Sequence, residues 1–303
     1  MKILHEIVIE KSISDIRLHE YCEQFIDFFE SRKSVKKAIK KSCVLLNNTA
    51  LKGGAWVKKG DKITIIDLEN TPPKTYELGY PIVFEDDYLA IINKPAGLIV
   101  SGNQFKTLAN SLMYNLQPSK QPNALAWPLP VHRIDSQTSG LIIAAKTKTA
   151  RIALGNMFEH KTIEKVYKAI VMGKVDKARI EVGNFSDSID EKAAYTEFKV
   201  LSESRSLKND WLSLLELKPK TGRTHQLRIH LSQNGTPILG DKLYSTSTIK
   251  HKGLFLCACQ LRFIHPITKK IIKVSINLPR KFEKRLKSEQ KRWDNYKLVN
   301  GTN

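Results

Sequence analysis

Val131-His132-Arg133-Ile134-Asp135-Ser136-Gln137-Thr138-Ser139-Gly140-Leu141 runs straight into Ile142-Ile143-Ala144-Ala145. The opening is largely polar and turn-forming, and the run that follows has the continuous apolar character of a buried strand. One carboxylate, Asp135, therefore sits between a cation and a strand that enters a core. Taken alone, a carboxylate so placed forms a turn more often than it reacts. Residues elsewhere in the chain decide between the two.

Outward from this stretch, residues 148–158 carry Ile152, Leu154, Met157 and Phe158 at helical spacing. Residues 165–173, 195–201, 212–217, 254–263 and 271–278 read as strands. On a strand, 165–173 would set Tyr167, Ala169 and Val171 on one face and Val166, Lys168 and Ile170 on the other. Upstream, 82–84 and 89–92 read as strand, turn, strand, ending at Lys94-Pro95-Ala96-Gly97. Residues 102–127 read as polar and irregular apart from a short helix over 107–116. Strands in succession with few helices between them predict an α+β domain with a mainly antiparallel mixed sheet, placed at residues 80–285. Residues 286–303 read as a basic tail, either a frayed helix or a solvated segment around Trp293.

The first 70 residues read differently. After a lead-in strand over 1–13, Leu18, Tyr21, Cys22 and Phe25 follow helical spacing, and Ser31 is suited to cap a second helix over 32–41. The exposed positions of that helix are almost all basic: Arg32, Lys33, Lys36, Lys37, Lys40 and Lys41. Val44-Leu45-Leu46 and 62–66 form a hairpin-like pair, with turns at Gly53-Gly54 and Gly60-Asp61. A small α/β domain over 13–70 is expected, followed by a linker over 71–79 that Pro72-Pro73 stiffens. A basic helix backed by a small sheet suits phosphates, and by charge alone it suits a solvated face equally well.

Composition narrows the partners. The 303 residues hold 50 Lys and Arg against 30 Asp and Glu, a net charge of +20. A codon bias towards Lys, Ile and Asn explains part of this but not the scarcity of acids, so a nucleic acid is the expected partner. No run approaches the roughly 20 apolar residues of a membrane span. The N-terminus lacks the marks of a signal or transit peptide, and the four cysteines form no CxxC pair. Cys257 and Cys259 are expected to pack, in a protein of the reducing cytoplasm. Monomer is the default expectation.

The Gly-rich, nucleotide-binding, metal-binding and serine-nucleophile signatures are all absent, and nothing in the sequence calls for a cofactor or a metal. A second informative stretch is Leu217-Lys218-Pro219-Lys220-Thr221-Gly222-Arg223-Thr224-His225-Gln226-Leu227-Arg228-Ile229-His230-Leu231. Thr224 is suited to cap a helix that Gly235 stops, and this outweighs the alternative of an alternating strand. Arg223 would then meet a phosphate at the helix start. Arg228, a turn further in, could reach a carboxylate with its planar fork. The five-residue spacing of His225 and His230 does not suit a metal pair on a helix.

Two resemblances follow from these residues. Arg17-Leu18, Ser31-Arg32, Ala38-Ile39, Val44-Leu45-Leu46-Asn47 and Val57-Lys58-Lys59-Gly60-Asp61-Lys62-Ile63 resemble the small RNA-binding domain first recognised in a small-subunit ribosomal protein, the S-four type. Ser42 and Asn48 stand where that pattern usually has glycine. His132-Arg133-Ile134-Asp135, Thr138-Ser139-Gly140-Leu141, Lys165-Val166-Tyr167, 221–228 and Leu239-Gly240-Asp241-Lys242-Leu243-Tyr244 resemble the RluA family of RNA pseudouridine synthases, over about residues 80–280.

The second resemblance implies that a uridine of structured RNA is cut at its glycosidic bond, turned and rejoined through carbon. It implies that Asp135 is the catalytic aspartate, by nucleophilic attack or by taking a ribose proton. Tyr167 would line the base pocket and help remove the proton, and Arg228 would pair with the aspartate. Arg133 would fill the place of the flipped base. Desolvation pushes a carboxylate towards its neutral form, and a neighbouring guanidinium opposes that. His132, Arg133, Arg223, Arg32, Lys36, Lys37 and Lys40 are the expected RNA-binding residues. Cys257 stands where the family often has histidine, and packing is its expected role. The expected substrate is large-subunit ribosomal RNA. The alternatives are transfer RNA, or an RNA-binding ribosome assembly factor without catalysis.

Overall fold

The computed structural model describes residues 2–10, 16–29, 31–51, 54–67, 72–175, 182–245 and 253–301. The expected first domain's two ends at residues 13 and 70, the Gly53 turn, residue 71 of the linker and the last two residues of the tail lie outside these. The chain divides into two compact units, Met1–Pro73 and Lys74–Asn303.

In the first unit, the lead-in strand is β1 (Lys2–Val8), which pairs antiparallel with β6 (Lys62–Asp67). β2 (Ile16–Arg17) leads into α1 (Leu18–Phe25), and α2 (Arg32–Lys40) follows. Ser31 caps α2, its hydroxyl accepting the Ser34 N–H at 3.3 Å. β3 (Val44–Leu46) and β4 (Thr49–Ala50) complete the sheet order β1-β6-β3-β4, while β5 (Trp56–Val57) pairs with β2. Leu18, Cys22, Val35, Val44 and Ile63 are fully buried between helices and sheet. Ser42 and Asn48 both take left-handed backbone, with φ of 57° and 65°. The turns that glycine would make easily are thus made by residues that tolerate that conformation less well.

The second unit is built on one sheet. Its elements are β7 (Ile82–Glu85), β8 (Leu89–Lys94), α3 (Leu108–Asn115), β9 (Ala124–Pro130), β10 (Ser139–Thr147), α4 (Lys148–Glu159), β11 (Glu164–Met172), β12 (Val182–Phe185), β13 (Thr196–Ser206), β14 (Asp210–Pro219), α5 (Gln226–Gln233), β15 (Leu256–Ile264), β16 (Ile271–Ser275) and α6 (Arg280–Asn300). The strand order is β12-β13-β14-β11-β15-β10-β8-β7, with β16 on β15 and β9 on β10. Among the described pairings in this sheet only β10 with β15 is parallel, so the sheet is mixed and mainly antiparallel, and the fold is α+β.

Three features differ from the sequence reading. Of the expected linker over 71–79, residues 74–79 belong to the second unit, where Tyr76 and Leu78 pack against the cluster that holds Leu108 and Leu112 of α3. β9 begins in the stretch read as irregular: one internal proline, Pro128, and one at its end, Pro130, mask a strand, yet Ala144 pairs with Pro130 and Ala145 with Leu129. The basic tail is a 21-residue helix, α6, with Phe282 and Glu289 buried. Glu289 accepts from Ser206 Oγ at 2.6 Å and Arg292 Nη1 at 3.1 Å, so buried charge and buried ring both fix the helix to the β13–β14 hairpin region and Phe255.

Candidate active site

Every residue of β10 is buried, as its apolar run requires. Gly140 enters that strand with φ of 119°, opposite Ala258 of β15, and a Cβ there would collide with the Ala258 carbonyl. Only glycine lets the loop turn into the parallel pairing at this point. The loop itself is held from three directions. Thr138 N–H closes a turn on the Asp135 carbonyl at 3.1 Å. His132 Nε2 accepts the Ile143 N–H at 2.9 Å, and its ring lies 4.4 Å from that of Phe158. Burial, and then the nearby Lys165, push the His132 imidazolium down to about 3, so the ring is neutral and acts as an acceptor.

The third hold is Lys94, at the end of β8 and fully buried. Its ammonium donates to the carbonyls of Leu98 at 2.7 Å, Pro95 at 2.9 Å and Ser136 at 3.1 Å, and Gly97 N–H meets the same Ser136 carbonyl at 2.7 Å. Burial pulls the Lys94 pKa down to about 8, against the charge of Asp135, which supports the cation. The residue after Asp135 is thereby pinned by a cation inside the core.

Asp135 is 19% exposed at its side chain. Arg228 Nη1 donates to its Oδ2 at 3.3 Å, and His225 Nε2 lies 3.6 Å from its Oδ1. Arg228 gives its fork to another carboxylate: Nε and Nη2 donate to Asp241 at 2.7 and 2.9 Å. Asp241 is fully buried at its side chain and also accepts the N–H groups of Leu243 and Tyr244. Burial acts to raise the Asp241 pKa, but Arg228 and those two N–H groups outweigh it and hold it below the ordinary value. Burial likewise opposes the Arg228 charge, and Asp241 and Asp135 together raise its pKa.

α5 begins at Gln226, later than expected. Thr224 does not cap it: the capping position belongs to His225, in left-handed backbone with φ of 55° and no side-chain cap. The Gln226 side chain instead accepts the Arg223 N–H at 3.0 Å and the Thr221 hydroxyl at 2.7 Å. Arg223 therefore has no free N–H to add to its cation, and its Nε donates to the Ala193 carbonyl at 3.1 Å. The turn frees His225 to face Asp135, with its Nδ1 2.9 Å from the Tyr244 hydroxyl. His230 packs in the core between Thr196 and the Asp187 carbonyl.

Tyr167 stands on β11, where the register with β15 shifts between Val166 and Tyr167, an irregularity that re-aims the side chain. Burial above all, then Asp135 and the two thiols, push its hydroxyl pKa well up. His132, Arg133, Asp135, Tyr167, Arg223 and Arg228 line one cavity of 450 Å³. Asp135, Tyr167 and Arg228 thus meet in one place. Arg32, Lys36, Lys37 and Lys40 are exposed on α2 of the first unit, where Arg32 pairs with Glu23 at 3.5 Å. Cys257 is buried on β15 and Cys259 donates to the Val166 carbonyl; both are free thiols in the core.

Asp241, Tyr244 and Lys94 receive no task from the sequence, and His225 is weighed there only against a metal pair with His230. Asp241 and Tyr244 stand inside a family motif whose spacing gives neither of them a task. Lys94 carried only the signal of a cation at the end of an apolar strand.

Comparisons with known proteins give the family. The RNA pseudouridylate synthase family profile matches residues 88–233. A ribosomal large subunit pseudouridine synthase D of Zymomonas mobilis is 34% identical over 278 residues, covering 82% of this chain and 86% of that one. A ribosomal large subunit pseudouridine synthase C of Vibrio vulnificus is 31% identical over 286 residues, covering 85% and 88%. The structure of human RNA pseudouridylate synthase domain containing 4 superposes with a TM-score of 0.52 at 26% identity, over 67% of this chain and 90% of that one. The chain belongs to the RNA pseudouridine synthase family and is an RNA pseudouridine synthase.

Proposed function

We propose that this enzyme converts uridines of large-subunit ribosomal RNA to pseudouridine, with Asp135 as the reacting group. The observation that carries the reading is the Asp135 carboxylate held by Arg228 at the wall of the cavity that Tyr167 also lines. In the reaction the N1–C1′ bond breaks and the C5–C1′ bond forms. The proton of C5 leaves and N1 gains one, so the product is an isomer and no cofactor is consumed. Asp135 acts either as nucleophile or by taking a ribose proton. Arg228 orients the carboxylate with its Nη1 donor, and Tyr167 lines the base pocket and assists loss of the C5 proton.

A base in a helix must leave its stack first, at a cost of a few kcal/mol. Arg133, exposed beside Asp135, is suited to fill the gap and offset part of that cost. His132 supports this indirectly: its ring nitrogen serves Ile143, so its part is to hold the loop that carries Arg133 and Asp135. Arg223 at the cavity edge offers a cation to a phosphate.

The first unit is read as an S-four-type RNA-binding domain over residues 13–70, with Arg32, Lys36, Lys37 and Lys40 on the RNA. The left-handed Ser42 and Asn48, at positions where that pattern has glycine, support this reading. The enzyme is proposed to work as a monomer in the cytoplasm. The names of the Zymomonas and Vibrio relatives favour a ribosomal target over transfer RNA. Incubation with transcribed large-subunit ribosomal RNA and transfer RNA in competition, followed by pseudouridine mapping, tests this. Product confined to ribosomal RNA is expected. Product confined to transfer RNA would replace the target, and binding without product would replace the catalytic reading by that of an assembly factor.

A further inference from the structure

Asp135 borders a second cavity, of 620 Å³. It shares Arg133, Ile134, Asp135, His225 and Arg228 with the first but lacks Tyr167. Its remaining wall brings together two kinds of surface. Val100 and Leu254, both buried, and Leu243 are apolar, while Gln137 and Lys242 are polar and exposed.

Leu243 is unusual among these. The residue is 69% exposed, yet its backbone N–H is fixed on Asp241 Oδ1 at 2.9 Å. A large apolar group is thus held out on a rigid backbone at the rim of a cavity and takes no part in the core. Two cations also line the cavity, Arg133 at the wall shared with the first and Lys242 next to Leu243 in sequence. Apolar faces for stacking, an amide that both donates and accepts, and cations for phosphate are together the needs of a nucleotide.

We propose that this second cavity receives the base of the nucleotide next to the target uridine. The assignment rests on reading the first cavity as the uridine pocket. If the target ribose lies at Asp135, the RNA chain must leave that point on both sides, and the second cavity opens at the same carboxylate. The neighbouring base then stacks on Leu243, its edge meets Gln137, and its phosphate lies by Lys242. The site would make the enzyme choose its uridine partly by what stands beside it.

The test is a coupling measurement between protein and RNA. A substrate RNA is made intact, or with an abasic nucleotide immediately 5′ or 3′ of the target, and pseudouridine formation is followed for wild type and Leu243→Ala. Leu243→Ala keeps the backbone N–H that Asp241 uses. On intact RNA it is expected to raise KM about tenfold, the size of an interaction worth about 1.4 kcal/mol. The abasic nucleotide on one side should raise the wild-type KM by a similar factor, and on that RNA Leu243→Ala should change nothing further. Gln137→Ala provides an independent arm: wild type should rank the four bases at that neighbour by KM, and the variant should flatten the ranking.

Additive effects of Leu243→Ala and the abasic nucleotide on both sides, or a wild type indifferent to its neighbours, would overturn the proposal while product still forms. No product from wild type on the intact RNA would overturn the reading of the first cavity, and this one with it.

Discussion

Arg228 holds two carboxylates at once and holds them unequally. Asp241 takes the bidentate fork at 2.7 and 2.9 Å, and Asp135 takes one donor at 3.3 Å. The buried pair fixes the guanidinium and leaves Asp135 oriented but not consumed. Asp241→Asn removes one charge of a buried pair, so a loss of about 3–5 kcal/mol is expected in urea unfolding. Misplacement of the guanidinium should lower kcat by up to about 10²-fold, although Asp241 touches no reacting atom. His132 gives a second prediction. Its folded pKa lies at about 3, below the ordinary 6.5, so the unfolded chain binds a proton that the folded chain refuses between these values. The stabilising contribution of neutral His132 is complete above pH 6.5 and is lost as pH falls towards 3, at up to about 1.4 kcal/mol per pH unit. Unfolding free energies measured from pH 7 to 4 should show a slope shallower by that amount in His132→Gln. Asp135 and Arg228 could be read from the sequence because each stands in a motif that carries the resemblance to the RluA family, whereas the local turn pattern alone left Asp135 open. Asp241 could not, since nothing in local spacing marks which carboxylate a helical arginine will choose. Lys94 was hidden for a different reason: lysine reads as a solvent residue, and its role depends on three carbonyls brought together only by the fold.

Among the elements, β10 carries the site because its sequence allows only one placement. It is buried throughout, and it pairs with β8 on one side and β15 on the other. Gly140→Ala would add a Cβ against the Ala258 carbonyl at a φ that alanine disfavours. A backbone cost of about 1–3 kcal/mol is expected before the clash is counted, with loss of activity, and a thermal melt together with an activity assay checks both. α6 is the element where sequence and structure part most. Its charge hides an apolar stripe, and Phe282 supplies the buried ring at its start, 5.4 Å from Phe255. Phe282→Ala should therefore cost about 3–5 kcal/mol by urea denaturation, whereas a solvated tail would show no change. The strands with unbroken apolar runs were legible for the reason that they are buried. β9 was not, because prolines argue against a strand wherever its edge is unknown.

At the scale of the whole molecule, +20 of net charge is distributed over both units, and the exposed cations of α2 belong to the first. If that helix grips phosphates, replacing Lys36, Lys37 and Lys40 by alanine should raise KM and leave kcat unchanged. The slope of log affinity against log salt should fall by about 2–3, at roughly 0.7–0.9 for each phosphate that is no longer neutralised. An unaltered slope would return the helix to the role of a solvated face. One carboxylate, Asp135, is set where a loop turned by Gly140, a guanidinium anchored on Asp241 and a cavity lined by Tyr167 come together. The most direct measurement compares wild type with Asp135→Asn on the same large-subunit ribosomal RNA transcript, with RNA binding measured alongside. Wild type should form pseudouridine and Asp135→Asn should bind the RNA yet form none. Equal product from the two proteins would contradict the account.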